Sequence, residues 1–136
     1  MTVTPSSLIL PHLPRLLDDA AAEAASLASA IGAAVSGRVL RDGRVDRAAV
    51  DAEQHAAHGL AWAAAYAETL RQTAAWAHAL EAEGRLTEAE ALPAQLLAHE
   101  YLSQLQGGVP MNQGEIFRPA DVFAPAERLS HVLGRL

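Results

Sequence analysis

Three kinds of residue are absent or scarce in this sequence, and each shortage excludes a kind of chemistry or structure. There is no cysteine, which excludes disulfides, thiolate zinc sites and cysteine catalysis. All ten basic residues are arginine, so no lysine of this chain can form a Schiff base. Aromatic residues make up only 4 %, and runs rich in Val, Ile, Thr and Tyr are missing, so there is little from which to build a sheet.

Charge and hydropathy also limit the partners. The net charge is −6 and the arginines are not clustered, so we expect no nucleic-acid partner. The opening residues MTVTPSSLIL lack a basic segment followed by a long apolar core, as a secretory signal would have. No uninterrupted apolar stretch reaches about 18 residues. We therefore expect a cytoplasmic protein with no membrane partner.

What the sequence does contain is alanine, at about a quarter of all residues. Alanine has the highest helix propensity because it loses no side-chain entropy on ordering. The predicted fold class is therefore all-α, an antiparallel helical bundle of three main helices plus a short C-terminal helix in a single domain, 1–136. The predicted helices cover about 13–36, 47–83, 88–106 and 125–135, with an ordered loop over 107–124.

Local signals support these boundaries. Asp42-Gly43 marks a turn, which we interpret as a plain turn rather than a hairpin. Asp46 is a good N-cap for the second helix. Thr87 and Glu90 have the spacing of a capping box at the start of the third helix. Pro93 lies beyond the first turn of that helix and predicts an irregular turn or a kink.

The second helix carries the strongest pattern. At about 1.5 Å per residue it would be an unbroken rod of roughly 55 Å, with Gly59 as its one weak point. Large side chains recur in steps of three and four, which places them on one stripe: Trp62, Tyr66, Leu70, Thr73, Trp76 and Leu80. A second set consists of small residues that would let a neighbour approach closely: Ala57, Ala61, Ala64 and Ala75. The pattern predicts a helix buried on two sides.

Two histidines extend the large-residue stripe backwards. With Asp51, the side chains of His55 and His58 have a spacing that suits one metal ion. A bundle-type di-iron site, however, needs Glu-x-x-His twice, and that motif is absent. We expect packing or hydrogen bonding, and no metal site. Trp62 and Tyr66 are likewise expected in the core, with an aromatic ligand pocket as the alternative.

Three segments carry a resemblance to a known family. They are HAAHGLAW from His55 to Trp62, Glu100-Tyr101-Leu102, and GGVPMNQGEIFRPAD from Gly107 to Asp121. Together they resemble the N-terminal helical extension of long bacterial acyl-CoA dehydrogenases, over about Asp42 to Asp121.

The resemblance implies a role for this region but no chemistry within it. Acyl-CoA dehydrogenases bind FAD, abstract an α-proton with a carboxylate and pass the β-hydride to the flavin. In that family the flavin site and the base belong to other domains, so no catalytic residue is assigned here and FAD is implied only for a partner or further domains. The resemblance favours Met111, Gln113, Glu115 and Arg118 as contacts to a partner or an acyl-CoA site. The alternative is that Glu115 and Arg118 pair locally across the turn.

Three functions therefore remain open. The first is a non-catalytic module that docks on, or belongs to, a flavoprotein dehydrogenase domain. The second is an independent bundle that binds a small ligand or a metal through His55, His58, Trp62 and Tyr66. The third is a structural bundle that forms a homo-oligomer.

Overall fold

The structure is a computed structural model that describes residues 8–123. The predicted last helix, 125–135, lies outside these residues. The described chain forms four α-helices, two short hairpins and one 3₁₀ turn. In order these are α1 Leu13–Val39, β1 Leu40–Arg41, β2 Arg44–Val45, α2 Arg47–Ala52, α3 Gln54–Ala82, α4 Glu88–Gly107, β3 Val109–Asn112, β4 Glu115–Phe117 and the 3₁₀ turn Pro119–Asp121. The predicted mostly helical fold is confirmed.

The long helices α1 and α3 pack along each other and run antiparallel. At one end His78 Nε2 lies 2.7 Å from Asp18 Oδ2, and at the other Arg38 Nη1 lies 3.1 Å from Glu53 Oε2. The buried residues of α1 follow helical spacing, because steps of three and four return to the same face. They are Leu13, Pro14, Leu17, Ala21, Ala24, Leu27, Ile31, Val35 and Val39.

Helix α3 buries one broad face rather than the two opposite sides that the sequence predicted. Tyr66, Leu70 and Leu80 are buried as expected, but Trp76 is 45 % exposed. The predicted small-residue face is wrong: Ala61, Ala64 and Ala75 are exposed and Ala57 is half-buried. The buried small residues are offset around the helix, and they are Ala56, Gly59, Ala63, Ala67, Ala74 and Ala77. Alanine occurs all around α3, so the sequence alone could not show which alanines face a neighbour.

The predicted rod over 47–83 is interrupted, although not at Gly59. Helix α2 ends at Glu53, where φ is −109° and ψ is 28°, and α3 begins at the next residue. Glu53 is a good helix former, so local propensity did not reveal the interruption. Its carboxylate is held by Arg38 from α1, and this tertiary contact fixes the position of Glu53. Gly59 lies inside the continuous part of α3.

Helix starts follow the sequence signals. The side chain of Asp46 accepts a hydrogen bond from the Ala49 N–H at 2.7 Å, so the predicted N-cap is confirmed. At α4 the capping box is confirmed, with the Thr87 N–H donating to Glu90 Oε2 at 3.1 Å. The helix continues through Pro93 to Gly107.

Two hairpins interrupt the helical pattern. The interpretation of Asp42-Gly43 as a plain turn was wrong, because β1 pairs antiparallel with β2 around it. Both turn residues have positive φ, 51° and 74°, as a type I′ hairpin turn requires. The predicted loop 107–124 contains the second hairpin, in which Val109 pairs with Phe117 and Asn112 with Glu115.

By length and composition alone, α1 is apolar enough to cross a membrane. Core helices of water-soluble proteins pass the same test. About a third of the most apolar window of α1 is buried within this chain, including Leu17, Leu27 and Ile31.

Candidate functional site

The hairpin β3–β4 packs on the N-terminal part of α3. Val109, Met111 and Phe117 alternate with exposed residues and point into the core, as period-two strands on a core do. The Phe117 ring lies directly over Gly59. A Cβ at Gly59 would stand 2.1 Å from Phe117 Cδ2, so only glycine admits the ring in this position.

A histidine joins the hairpin and the 3₁₀ turn to α3. His55 Nδ1 lies 3.1 Å from Glu115 Oε1, and His55 Nε2 lies 3.2 Å from Asp121 Oδ2. We call these three residues the histidine–carboxylate clasp. Carboxylates only accept hydrogen bonds, so both contacts are hydrogen bonds at the same time when the ring is protonated on both nitrogens. The hydrogen bond to Asp121, and then the one to Glu115, raises the pKa of His55 above its ordinary 6.5, against an opposing effect of desolvation.

The neighbouring His58 extends the clasp towards the aromatic side chains. Trp62 Nε1–H donates to His58 Nε2 at 3.0 Å, which makes Nε2 an acceptor and places the ring proton on Nδ1. That nitrogen lies 3.6 Å from Glu115 Oε2. The same carboxylate oxygen accepts a hydrogen bond from Asn112 Nδ2 at 2.7 Å. Glu115 therefore ties the hairpin turn to α3.

Arg38 supports the clasp from the side of α1. Besides its ion pair with Glu53, its Nη2 donates to the Val122 carbonyl oxygen at 2.9 Å. It thereby holds the chain that follows Asp121. Arg38, Glu53 and Phe117 were not predicted as site residues. For Arg38 the reason is that nothing in the local sequence places residue 38 near residue 122.

The predicted aromatic core is confirmed for Tyr66. This side chain is buried, stacks on Tyr101 with ring centroids 4.0 Å apart, and donates its hydroxyl hydrogen bond to Gln104. Trp62 lies edge-on to Tyr66 at 6.1 Å and is half-buried. Burial raises the pKa of Tyr66, so the hydroxyl stays a neutral donor. The three aromatic rings therefore pack against one another between α3 and α4.

The predicted contact residues have different positions. Met111 is only 7 % exposed and belongs to the core. Gln113 and Arg118 are exposed on the hairpin side. Over residues 8–123 the ion pairs of Glu115 are with the two histidines and not with Arg118, so the local pairing alternative is wrong. In that part of the chain no three metal-ligating side chains converge on a single position.

A second feature lies at the opposite end of α1, between α1 and α4. It is a groove of about 570 Å³ with aliphatic walls. We call it the leucine groove, and its leucines are Leu10, Leu13, Leu16, Leu17, Leu96 and Leu102. The side chains of Leu10, Leu16 and Leu96 are 50 %, 42 % and 59 % exposed. Large apolar side chains gathered in this way on a surface mark an interaction site.

The carboxylates of Asp19 and Glu23 also line the leucine groove. The diphosphate of FAD is anionic and needs N–H donors or cations at its binding site. Besides these carboxylates, Gln95 and His99 are the polar residues that line the groove, and no arginine lines it, so it offers a diphosphate no permanent cation and does not fit FAD.

No family model matches this chain. Among curated proteins, a (2S)-methylsuccinyl-CoA dehydrogenase from Cereibacter sphaeroides is 46 % identical to it over 114 residues. The match covers 84 % of this chain but only 21 % of that enzyme, so the chain spans about a fifth of the relative's length. The resemblance predicted from the sequence is confirmed, and this chain is related to one segment of an acyl-CoA dehydrogenase.

Proposed function

We propose that this chain is a non-catalytic helical module of a flavin-dependent acyl-CoA dehydrogenase. In this role it docks on the part of the enzyme that binds FAD and the acyl-CoA. The observation that carries the proposal is the 46 % identity to a segment that makes up 21 % of a dehydrogenase.

The geometry of the histidine–carboxylate clasp supports a structural role over a catalytic one. A general base needs a free lone pair within reach of its substrate. Both ring nitrogens of His55 are engaged by carboxylates, and His58 Nε2 accepts from Trp62. These side chains instead fix the hairpin to α3, as a docking element with a defined surface requires.

The leucine groove supports docking over independent ligand binding. Single exposed leucines are common on a monomer, but here three that are about half exposed line one groove, which favours a docking surface. Any FAD belongs, in this proposal, to the remainder of the enzyme.

A segment exchange tests the proposal. The matching segment of the Cereibacter enzyme is replaced with this chain, and flavin content, melting temperature and acyl-CoA dehydrogenation are measured. We expect the chimera to keep its flavin and its activity, because the two segments are 46 % identical. The control carries an unrelated helical bundle of equal length at the same place. A chimera that loses flavin and activity as completely as this control would contradict the proposal.

A further inference from the structure

We propose that the leucine groove receives an amphipathic helix from the flavin-binding part of the dehydrogenase, with an aliphatic stripe and arginine or lysine side chains along one edge. This inference rests on the proposed function and names the surface and the partner chemistry that it uses.

The shape of the groove favours a helix as the occupant. Its walls are the helices α1 and α4, and the furrow between two helices accepts the ridge of a third. Along α1 the lining positions Leu13, Leu16, Leu17 and Ala20 recur in steps of three and four. Both walls therefore present a continuous helical surface, and a further helix laid between them would extend the bundle.

The groove is held open by contacts within this chain. Gln95 on α4 accepts a hydrogen bond from the Leu10 N–H at 2.8 Å and donates one to the Leu8 carbonyl oxygen at 3.0 Å. These two bonds fix the segment that enters α1 against α4. The wall carrying Leu10 is therefore in place before a partner arrives, which lowers the entropic cost of docking.

The charge at the groove defines the edge of the partner helix. Asp19 on α1 lines the groove, opposite Gln95 and His99 of α4, in a chain of net charge −6. A partner helix with basic residues beside its aliphatic stripe places opposite charges there, and one with acidic residues is repelled.

The extent of the relative indicates where this helix comes from. The matched segment is 21 % of the dehydrogenase, so in that enzyme most of the chain is available to cover the groove. We expect the rest of the dehydrogenase to cover the leucine groove, which is open in the described residues of this chain.

The experiment uses the chimera described above and the isolated full-length chain in parallel. Leu16→Glu combined with Leu96→Glu places two charges in the groove. The isolated chain should melt as before, because both side chains are exposed there. The chimera should melt at least about 5 °C lower and release its flavin several-fold faster. The control is Val45→Glu, which places a charge on an exposed apolar residue of the β1–β2 hairpin, and it should change neither protein.

The charge is tested separately with Asp19→Arg. We expect Asp19→Arg to destabilise the chimera less than the two leucine substitutions do. Added salt should have the same effect on the parent chimera, because it screens the attraction between the charges. Asp19→Glu keeps the charge and should have no such effect. No change on charge reversal would overturn the basic edge of the partner.

The outcomes separate this inference from the proposed function. A parent chimera without flavin and activity overturns the proposed function. A working parent chimera that tolerates both leucine substitutions overturns the groove as its docking surface. Sedimentation of the isolated chain decides the remaining case: if it self-associates and the leucine variant does not, the occupant is a second copy and the inference is wrong.

Discussion

The two hairpins of this chain have turns of equal length but very different roles. Each follows a long helix and closes through a two-residue turn. The four strand residues of β1–β2 are all exposed, whereas β3–β4 alternates and buries Val109, Met111 and Phe117. The comparison shows that a hairpin becomes part of the core only where its inward side chains meet a complementary surface. Here that surface is Gly59 on α3.

The sharpest test of this contrast removes one side chain from each hairpin. Phe117→Ala deletes a completely buried ring and should lower the free energy of unfolding by about 3–5 kcal/mol. Val45→Ala, on the exposed hairpin, should change it by less than about 0.5 kcal/mol. Denaturant unfolding measures both. Similar losses at the two positions would show that the hairpins do not differ in the way proposed.

The receiving surface can be tested with two glycines in helices. At Gly59 a new Cβ would stand 2.1 Å from the Phe117 ring, while at Gly32 it would stand 3.6 Å from Leu60 Cδ1, an ordinary contact. Gly59→Ala should therefore destabilise the chain by about 1–3 kcal/mol through overpacking. Gly32→Ala should stabilise it by about 0.5–1 kcal/mol, because alanine is the better helix former. Thermal melting should show shifts of opposite sign.

A double substitution tests whether the Phe117 ring causes the loss of stability expected for Gly59→Ala. In a Phe117→Ala background the space above residue 59 is empty, so Gly59→Ala should no longer destabilise. If the alanine costs the same free energy in both backgrounds, the clash with Phe117 is not the reason for glycine at this position.

Much of the helical fold could be predicted from local signals. The starts at Asp46 and Thr87 depend on side chains that satisfy the backbone N–H groups of their own helix, so sequence spacing is sufficient to find them. The segment from Gly107 to Asp121 was also identified as ordered. The prediction of a role for this segment came from its family resemblance rather than from its composition.

The features that sequence analysis missed depend on distant residues. The interruption at Glu53 involves Arg38, and the clasp joins His55 to residues 60 and 66 positions away. In an alanine-rich helix the buried face is set by the neighbour it meets, so Ala64 and Ala67 could not be told apart beforehand. Long-range contacts of this kind leave no periodic signal in the chain.

The clasp provides a third test of what anchors the β3–β4 hairpin. His55→Gln removes the charge and one of the two hydrogen bonds, and should cost about 1 kcal/mol because the ring is partly exposed. The effect should be local, with faster hydrogen exchange at the amides of β3 and β4. His78→Gln is the control, because His78 lies on another part of α3 and its contact is with Asp18 of α1. Exchange that accelerates equally in both variants would contradict an anchoring role for His55.

The smallest effect that we expect is a change with pH in the contribution of His55 to the free energy of unfolding. The pKa of His55 is raised in the folded chain, chiefly by Asp121 and then by Glu115, so the folded state binds this proton more tightly than the unfolded state. The contribution of the clasp is therefore complete below 6.5 and is lost as the pH rises through the higher folded value. The difference in unfolding free energy between the parent chain and His55→Gln should shrink over that interval. A difference that grows as the pH rises would mean that His55 is neutral in the folded chain and that the clasp is not an ion pair.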